Sequence, residues 1–155
     1  MLHVVLYQPR IPPNTGNIAR QCVGMDAGLH IVGPIAMDLG RSAVRRAGLD
    51  YWDELTLSIH ESPGAFLHWL GDRQPWLVTR HGELRFDRPG YRDEDILIFG
   101  SETTGLPQEW LTRWSERSVF IPMPGKIRNY NLANTVSVIL AHASLKAGLY
   151  EKKGQ

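Results

Sequence analysis

A single cysteine, Cys22, occurs in the 155 residues. That scarcity excludes an intramolecular disulfide framework and a cysteine-built zinc site. No apolar stretch approaches the ~20 residues that would cross a bilayer, so no membrane span is expected. The opening Met1-Leu2-His3-Val4-Val5-Leu6-Tyr7 has no basic segment ahead of its apolar run and no small-residue cleavage site, so it does not read as a signal peptide. A reduced, cytoplasmic protein is the expectation. Charge of either sign is also lacking in excess: 17 Lys and Arg stand against 16 Asp and Glu, a net of +1. Neither disorder nor attraction of nucleic acid by bulk charge follows from that balance. The six histidines show no metal-ligand spacing, so no metal is expected, and most read as surface or hydrogen-bonded residues. Familiar nucleotide motifs are missing too. No G-x-G-x-x-G follows a strand, and Gly100–Gly105 has phosphate-loop spacing but continues as Leu106-Pro107 instead of Lys-Ser/Thr. There is no G-x-S-x-G elbow.

What remains is a globular composition, 43% hydrophobic, in a chain sized for one domain spanning 1–155. Apolar runs and helical patterns alternate along it. Strands are expected at His3–Tyr7, Leu29–Val32, Leu55–Ile59, Trp76–Thr79, Ile96–Phe99 and Val119–Ile121. Helices are expected at Asn17–Ala27, Leu39–Ala47, Pro63–Leu70, Pro107–Trp114 and Leu132–Leu149. Nearly continuous apolar strands between helices predict an α/β fold, a parallel sheet sandwiched by helices. Cys22 falls on the apolar face of its helix and reads as a buried thiol. The last helix carries two apolar stripes. One is Leu132, Val136, Ile139, Leu140 and Ala143; the other is Val138, Ala141, Leu145 and Leu149. A helix with two apolar faces covers two surfaces. The second surface is either more core or a partner subunit.

In open parallel sheets, ligands bind beyond the carboxyl ends of the strands. That rule singles out three segments. The first, Pro12-Pro13-Asn14-Thr15-Gly16-Asn17-Ile18-Ala19-Arg20, offers a capping Asn14 or Thr15, and an Asn17–Arg20 pair on one helical face, suited to phosphate or ribose. The second, Phe99 to Pro107, sets a tight glycine turn around Ser101 and Glu102, with backbone amides free to cradle a ligand and a carboxylate to orient one. The third, Ile121 to Asn134, holds Asn129, Asn131 and Asn134 at the start of an apolar helix. Asparagine both donates and accepts, as a nucleoside requires, and capping accounts for one of the three. Each segment alone also reads as an ordinary capped turn.

Together the segments resemble the SPOUT (SpoU–TrmD) superfamily of RNA methyltransferases, and within it the small TrmL/YibK-like branch that methylates the wobble ribose of tRNA. The resemblance spans almost the whole chain. It rests on Val4 to Arg20, on Arg45-Arg46-Ala47-Gly48-Leu49-Asp50-Tyr51, on Phe99-Gly100-Ser101-Glu102 with Gly105-Leu106-Pro107, and on Ile121-Pro122-Met123 with Arg128 to Asn134.

The resemblance implies a C-terminal trefoil knot over roughly 75–155, which general topology rules would never suggest. It implies S-adenosylmethionine as cofactor, with S-adenosylhomocysteine as product, in a pocket of Val78, Thr79, Gly100, Ile121, Met123, Asn129 and Leu132. It implies methyl transfer to the ribose 2′-hydroxyl of nucleotide 34, a cytidine or modified uridine, in leucine tRNAs. Arg20 would be catalytic, positioned by Asn14 and supported by Glu102 and Asn131. An arginine keeps its proton at neutral pH, so holding a phosphate suits Arg20 better than acting as a base. The anticodon stem-loop would be gripped by Arg41, Arg45, Arg46, Arg128 and an exposed Tyr130, with Trp52 a second stacking candidate. A chain this small, with no RNA-binding extension, is expected to act as a homodimer. Two departures stand out: Asn129 where the family usually has Ser, and Ser101 where close relatives often have Pro. Methylation of ribosomal RNA or of another tRNA position, a non-catalytic RNA-binding role, and a hydrolase built on Ser101 are the alternatives.

Overall fold

A computed structural model describes residues 1–152. Its centre is a seven-stranded sheet in the order β3-β2-β1-β6-β4-β7-β5, every pairing parallel. The strands are β1 (His3–Tyr7), β2 (Gly28–Val32), β3 (Leu57–His60), β4 (Trp76–Val78), β5 (Leu84–Arg85), β6 (Ile96–Phe99) and β7 (Ser118–Phe120). Helices α1 (Pro12–Gly24), α2 (Arg41–Arg46), α3 (Pro63–Leu70), α4 (Gln108–Arg113) and α5 (Leu132–Lys146) connect or follow them. The expected alternation is present. The strand missed by pattern is β5, because two residues carry no periodicity.

Side chains alternate across the strands and split the core in two. Val4 and Leu6 face one layer, where Ile18, Ala19 and Cys22 of α1 meet Val136, Ile139, Leu140 and Ala143 of α5. Val5, Ile96 and Ile98 face the other, against Phe66 and Leu70 of α3 and Trp110 of α4. Cys22 is fully buried in the first layer, and burial pushes its thiol pKa up to about 12. Of the two stripes on α5, the first is packed into this layer. In the second, Val138 and Leu145 stay exposed, at 44% and 66%.

Helix ends differ from expectation in instructive ways. The first helix begins at Pro12, five residues before the predicted Asn17, so Asn14 and Thr15 lie within its first turn instead of capping it. Two prolines occupy the first positions, where a missing N–H costs nothing. The preceding Arg10 and Ile11 amides are satisfied by a distant carboxylate, that of Glu102. α5 ends at Lys146, short of Leu149, because Gly148 adopts φ +66° and the amides of Gly148 and Leu149 fold back onto Leu145 and Ser144.

On the α3 face, histidines from three adjacent strands form a diagonal hydrogen-bonded chain. His3 Nδ1 lies 3.0 Å from His30 Nε2, and His30 Nδ1 lies 3.1 Å from His60 Nε2. His3 Nε2 reaches Glu94 Oε2 at 3.2 Å, and Glu94 also binds the N-terminal ammonium. The Trp69 ring packs against all three imidazoles, and the Arg73 guanidinium stacks on that ring at 3.9 Å. Burial, and then the neighbouring charges of His3, His60 and Arg73, push the His30 pKa down to about 3. Burial lowers that of His60 as well.

Candidate active site

The carboxyl ends of β1, β4, β6 and β7 open into one cleft of about 510 Å³. Three local structures shape it. After β6, the chain doubles back between Gly100 and Gly105: Ser101 and Gly105 exchange two backbone hydrogen bonds, of 3.1 and 3.0 Å. A Cβ on Gly100 would sit 2.6 Å from the Gly105 carbonyl carbon, and Gly105 itself has φ +68°. Only glycines permit this turn. After β7, residues 121–131 run exposed over the cleft before α5 starts. The Tyr130 hydroxyl closes this segment by donating to the Pro122 carbonyl at 3.1 Å. Asn131 caps α5, its side-chain oxygen accepting from the Asn134 amide at 3.3 Å. The third wall is the start of α1, which enters after Gln8, a non-glycine residue at φ +45°.

A polar chain joins the three. Glu102 accepts from the Arg10 amide at 2.8 Å, the Ile11 amide at 3.1 Å and Asn14 Nδ2 at 3.4 Å. Asn131 Nδ2 donates to Asn14 Oδ1 at 3.0 Å. Asn14 is buried, so its amide is held from both sides and cannot rotate freely. Both its roles, donor to Glu102 and acceptor from Asn131, are thereby fixed.

The seven residues expected to hold a cofactor, Val78, Thr79, Gly100, Ile121, Met123, Asn129 and Leu132, all line this cleft. So do Asn14, Glu102, Asn131 and Tyr130. Arg128 is exposed on the 121–131 segment. Arg80 and His81, on the turn after β4, line the cleft in addition to the expected residues; Arg80 Nε donates to His81 Nε2 at 2.9 Å. Only their place after a strand's carboxyl end hinted at this. Arg20 is elsewhere. Six helical residues turn a side chain by about 240°, so Arg20 leaves the Asn14 face, and the expected Asn14–Arg20 pairing gives way to the Glu102–Asn14–Asn131 chain. Arg20 instead lies over the Tyr51 ring, 5.6 Å from its centre, in a neighbouring cleft of about 530 Å³. Arg41, Arg45 and Arg46 are exposed on α2, whose Ala43 and Val44, with the capping Ala47, line that second cleft.

Among the described residues, no cluster of His, Cys, Asp and Glu could hold a metal ion, and no helix is long and apolar enough to cross a membrane. The sequence pattern of the SpoU rRNA methylase family matches residues 1–141. The chain belongs to that family. SpoU relatives align over nearly its full length. A protein of Burkholderia cenocepacia named tRNA (cytidine(34)-2′-O)-methyltransferase is 39% identical over 96% of this chain and 97% of its own. A solved structure described as giving insight into "the 2-OH methylation of C/U34 on tRNA" superposes with TM-score 0.85 at 40% identity, covering 94% of this chain and 90% of that one. The SpoU methyltransferase AviRb of Streptomyces viridochromogenes, solved in complex with the cofactor AdoMet, superposes with TM-score 0.78 at 29% identity, over 94% of this chain and 60% of its own.

Proposed function

We propose that this SpoU-family chain transfers a methyl group from S-adenosylmethionine to the ribose 2′-hydroxyl of nucleotide 34, a cytidine or modified uridine, in leucine tRNAs, releasing S-adenosylhomocysteine and passing the hydroxyl proton to solvent. The observation that carries the reading is a single cleft in which Asn14, Glu102 and Asn131 are hydrogen-bonded beside seven cofactor candidates. The names of the relatives support tRNA nucleotide 34 as the target; leucine tRNAs and a modified uridine are the finer part of the proposal.

The cleft suits the cofactor chemically. Val78, Ile121 and Leu132 offer apolar walls, Thr79 and Asn129 offer hydrogen bonds, and the Gly100 turn brings bare backbone close. Asn129 donates and accepts where the family's Ser would, so the departure is tolerable. When bound, the sulfonium supplies a methyl group already activated by positive charge, and no metal is required. The protein's share is alignment, which can lower such a barrier greatly. Asn14 is held by Glu102 and Asn131 to orient the ribose; Arg20 holds an adjacent phosphate and keeps its proton; Arg41, Arg45, Arg46, Arg128 and Tyr130 grip the anticodon stem-loop. The exposed Val138 and Leu145 stripe of α5 favours a homodimer. The buried Cys22 thiol suits a cytoplasmic setting. The trefoil knot over roughly 75–155 belongs to the same reading. The order β6-β4-β7-β5, in which later strands lie between earlier ones, is compatible with it.

Mapping 2′-O-methyl groups in tRNA and rRNA from a strain lacking the gene tests the substrate. Loss at nucleotide 34 is expected. Loss only in ribosomal RNA would overturn the assignment.

A further inference from the structure

We infer that the second cleft, between α1 and the 37–52 segment, is a stacking pocket for an unstacked nucleobase next to the methylated nucleotide. The inference rests on the RNA-methylation reading above. The two clefts share one wall, the first turn of α1. Asn14 faces the cofactor cleft, while Pro13, Thr15 and Gly16 line the second. The shared wall puts the second cleft beside the path of a strand that presents its ribose to the first.

The lining has the composition that a base demands. Met37, Leu39, Val44, Leu49 and Trp52 make it apolar, as small-molecule pockets usually are. Tyr51 supplies an aromatic face and is fixed in place, its hydroxyl donating to the Gly16 carbonyl at 2.7 Å. The Arg20 guanidinium lies over that ring. Aromatic faces and guanidinium planes are the two surfaces on which proteins stack splayed RNA bases. A polar group for the base edge is present as well: Asn17 is exposed at the lining. The margins are cationic. Ala43 and Val44 of α2 and the capping Ala47 line the cleft, and Arg41 and Arg46 are each about 110° away around the helix, one on either side. They are placed for the phosphates flanking a base seated between them.

The test uses leucine tRNA carrying 2-aminopurine at nucleotide 34 or at either neighbour, with the full-length protein and S-adenosylmethionine. For the wild type, the expected result is fluorescence quenching at one neighbour of nucleotide 34. Tyr51→Leu should abolish that quenching and weaken tRNA binding about tenfold or more, the size of one lost base–aromatic stack. Tyr51→Phe should retain both. Calorimetric S-adenosylmethionine binding should stay unchanged in both variants, which separates a lost stack from a lost fold. If the wild type methylates the tRNA but quenches neither neighbour, the inference is overturned without any variant. It is also overturned if Tyr51→Leu, with cofactor binding intact, binds and quenches as the wild type does. If the wild type neither binds nor methylates the tRNA, the underlying methylation reading falls with it.

Discussion

Two polar chains cross this sheet, and they differ in where they end. Glu102–Asn14–Asn131 sits at the carboxyl ends of the strands, ties three loops together and borders an open cleft. His3–His30–His60 runs diagonally over β1, β2 and β3 and is closed beneath Trp69. The first is built from one carboxylate and two asparagine amides. The second has the histidines and the low pKa that usually draw attention to a site. The cleft nevertheless belongs to the first. Titratable groups mark chemistry when they face a place where substrate fits; under an indole they mark a pH-sensitive joint in the fold.

The largest effects should fall on the cleft side. Arg20→Ala should lower methyl transfer by about a hundredfold or more while cofactor affinity, measured calorimetrically, stays within about twofold. Full activity would take Arg20 out of the reaction. Glu102→Ala frees the Arg10 and Ile11 amides and one side of Asn14, so kcat/KM should fall about tenfold to hundredfold. A similar loss from His30→Leu at neutral pH would erase the distinction between the two chains.

The histidine chain should instead set acid sensitivity. Above pH ~6.5 His30 is neutral in both folded and unfolded states. As pH falls from there toward its folded value of about 3, the unfolded chain takes up a proton that the native state refuses, so stability declines. Between pH 7.5 and 5, wild type should lose roughly 1–2 kcal/mol more than His30→Leu, allowing for partial solvent screening. Urea midpoints at the two pH values measure this. Parallel pH profiles would show that the chain does not couple to folding.

The smallest effects come from the helix caps, one on each side. Ser62 caps α3 by accepting from the Ala65 amide, and Asn131 caps α5. Each change to Ala should cost about 1 kcal/mol of stability. Only Asn131→Ala should also slow methyl transfer, since it alone releases Asn14. Equal activity in the two variants would reduce Asn131 to a cap.

Much of this was legible in the chain. Apolar runs announced six of the seven strands, and the carboxyl-end rule pointed at the segments that enclose the cleft, because both depend on local pattern. The buried Cys22 and the first stripe of α5 followed from helical spacing for the same reason. Other features had no local signal. The start of α1 moved to Pro12 because Glu102, about ninety residues away, satisfies the amides before it. The histidine chain needs three strands side by side in a fixed register, which no spacing between positions 3, 30 and 60 reveals. The separation of Arg20 from Asn14 is helical arithmetic, yet only the packed structure showed that Tyr51 receives the one and Glu102 the other. Sequence alone thus determined the elements and the kind of residue at the strand ends, since periodicity and turn chemistry act over a few residues. Tertiary structure decided which of those residues meet, since hydrogen bonds and clefts form between segments that only the sheet order brings together.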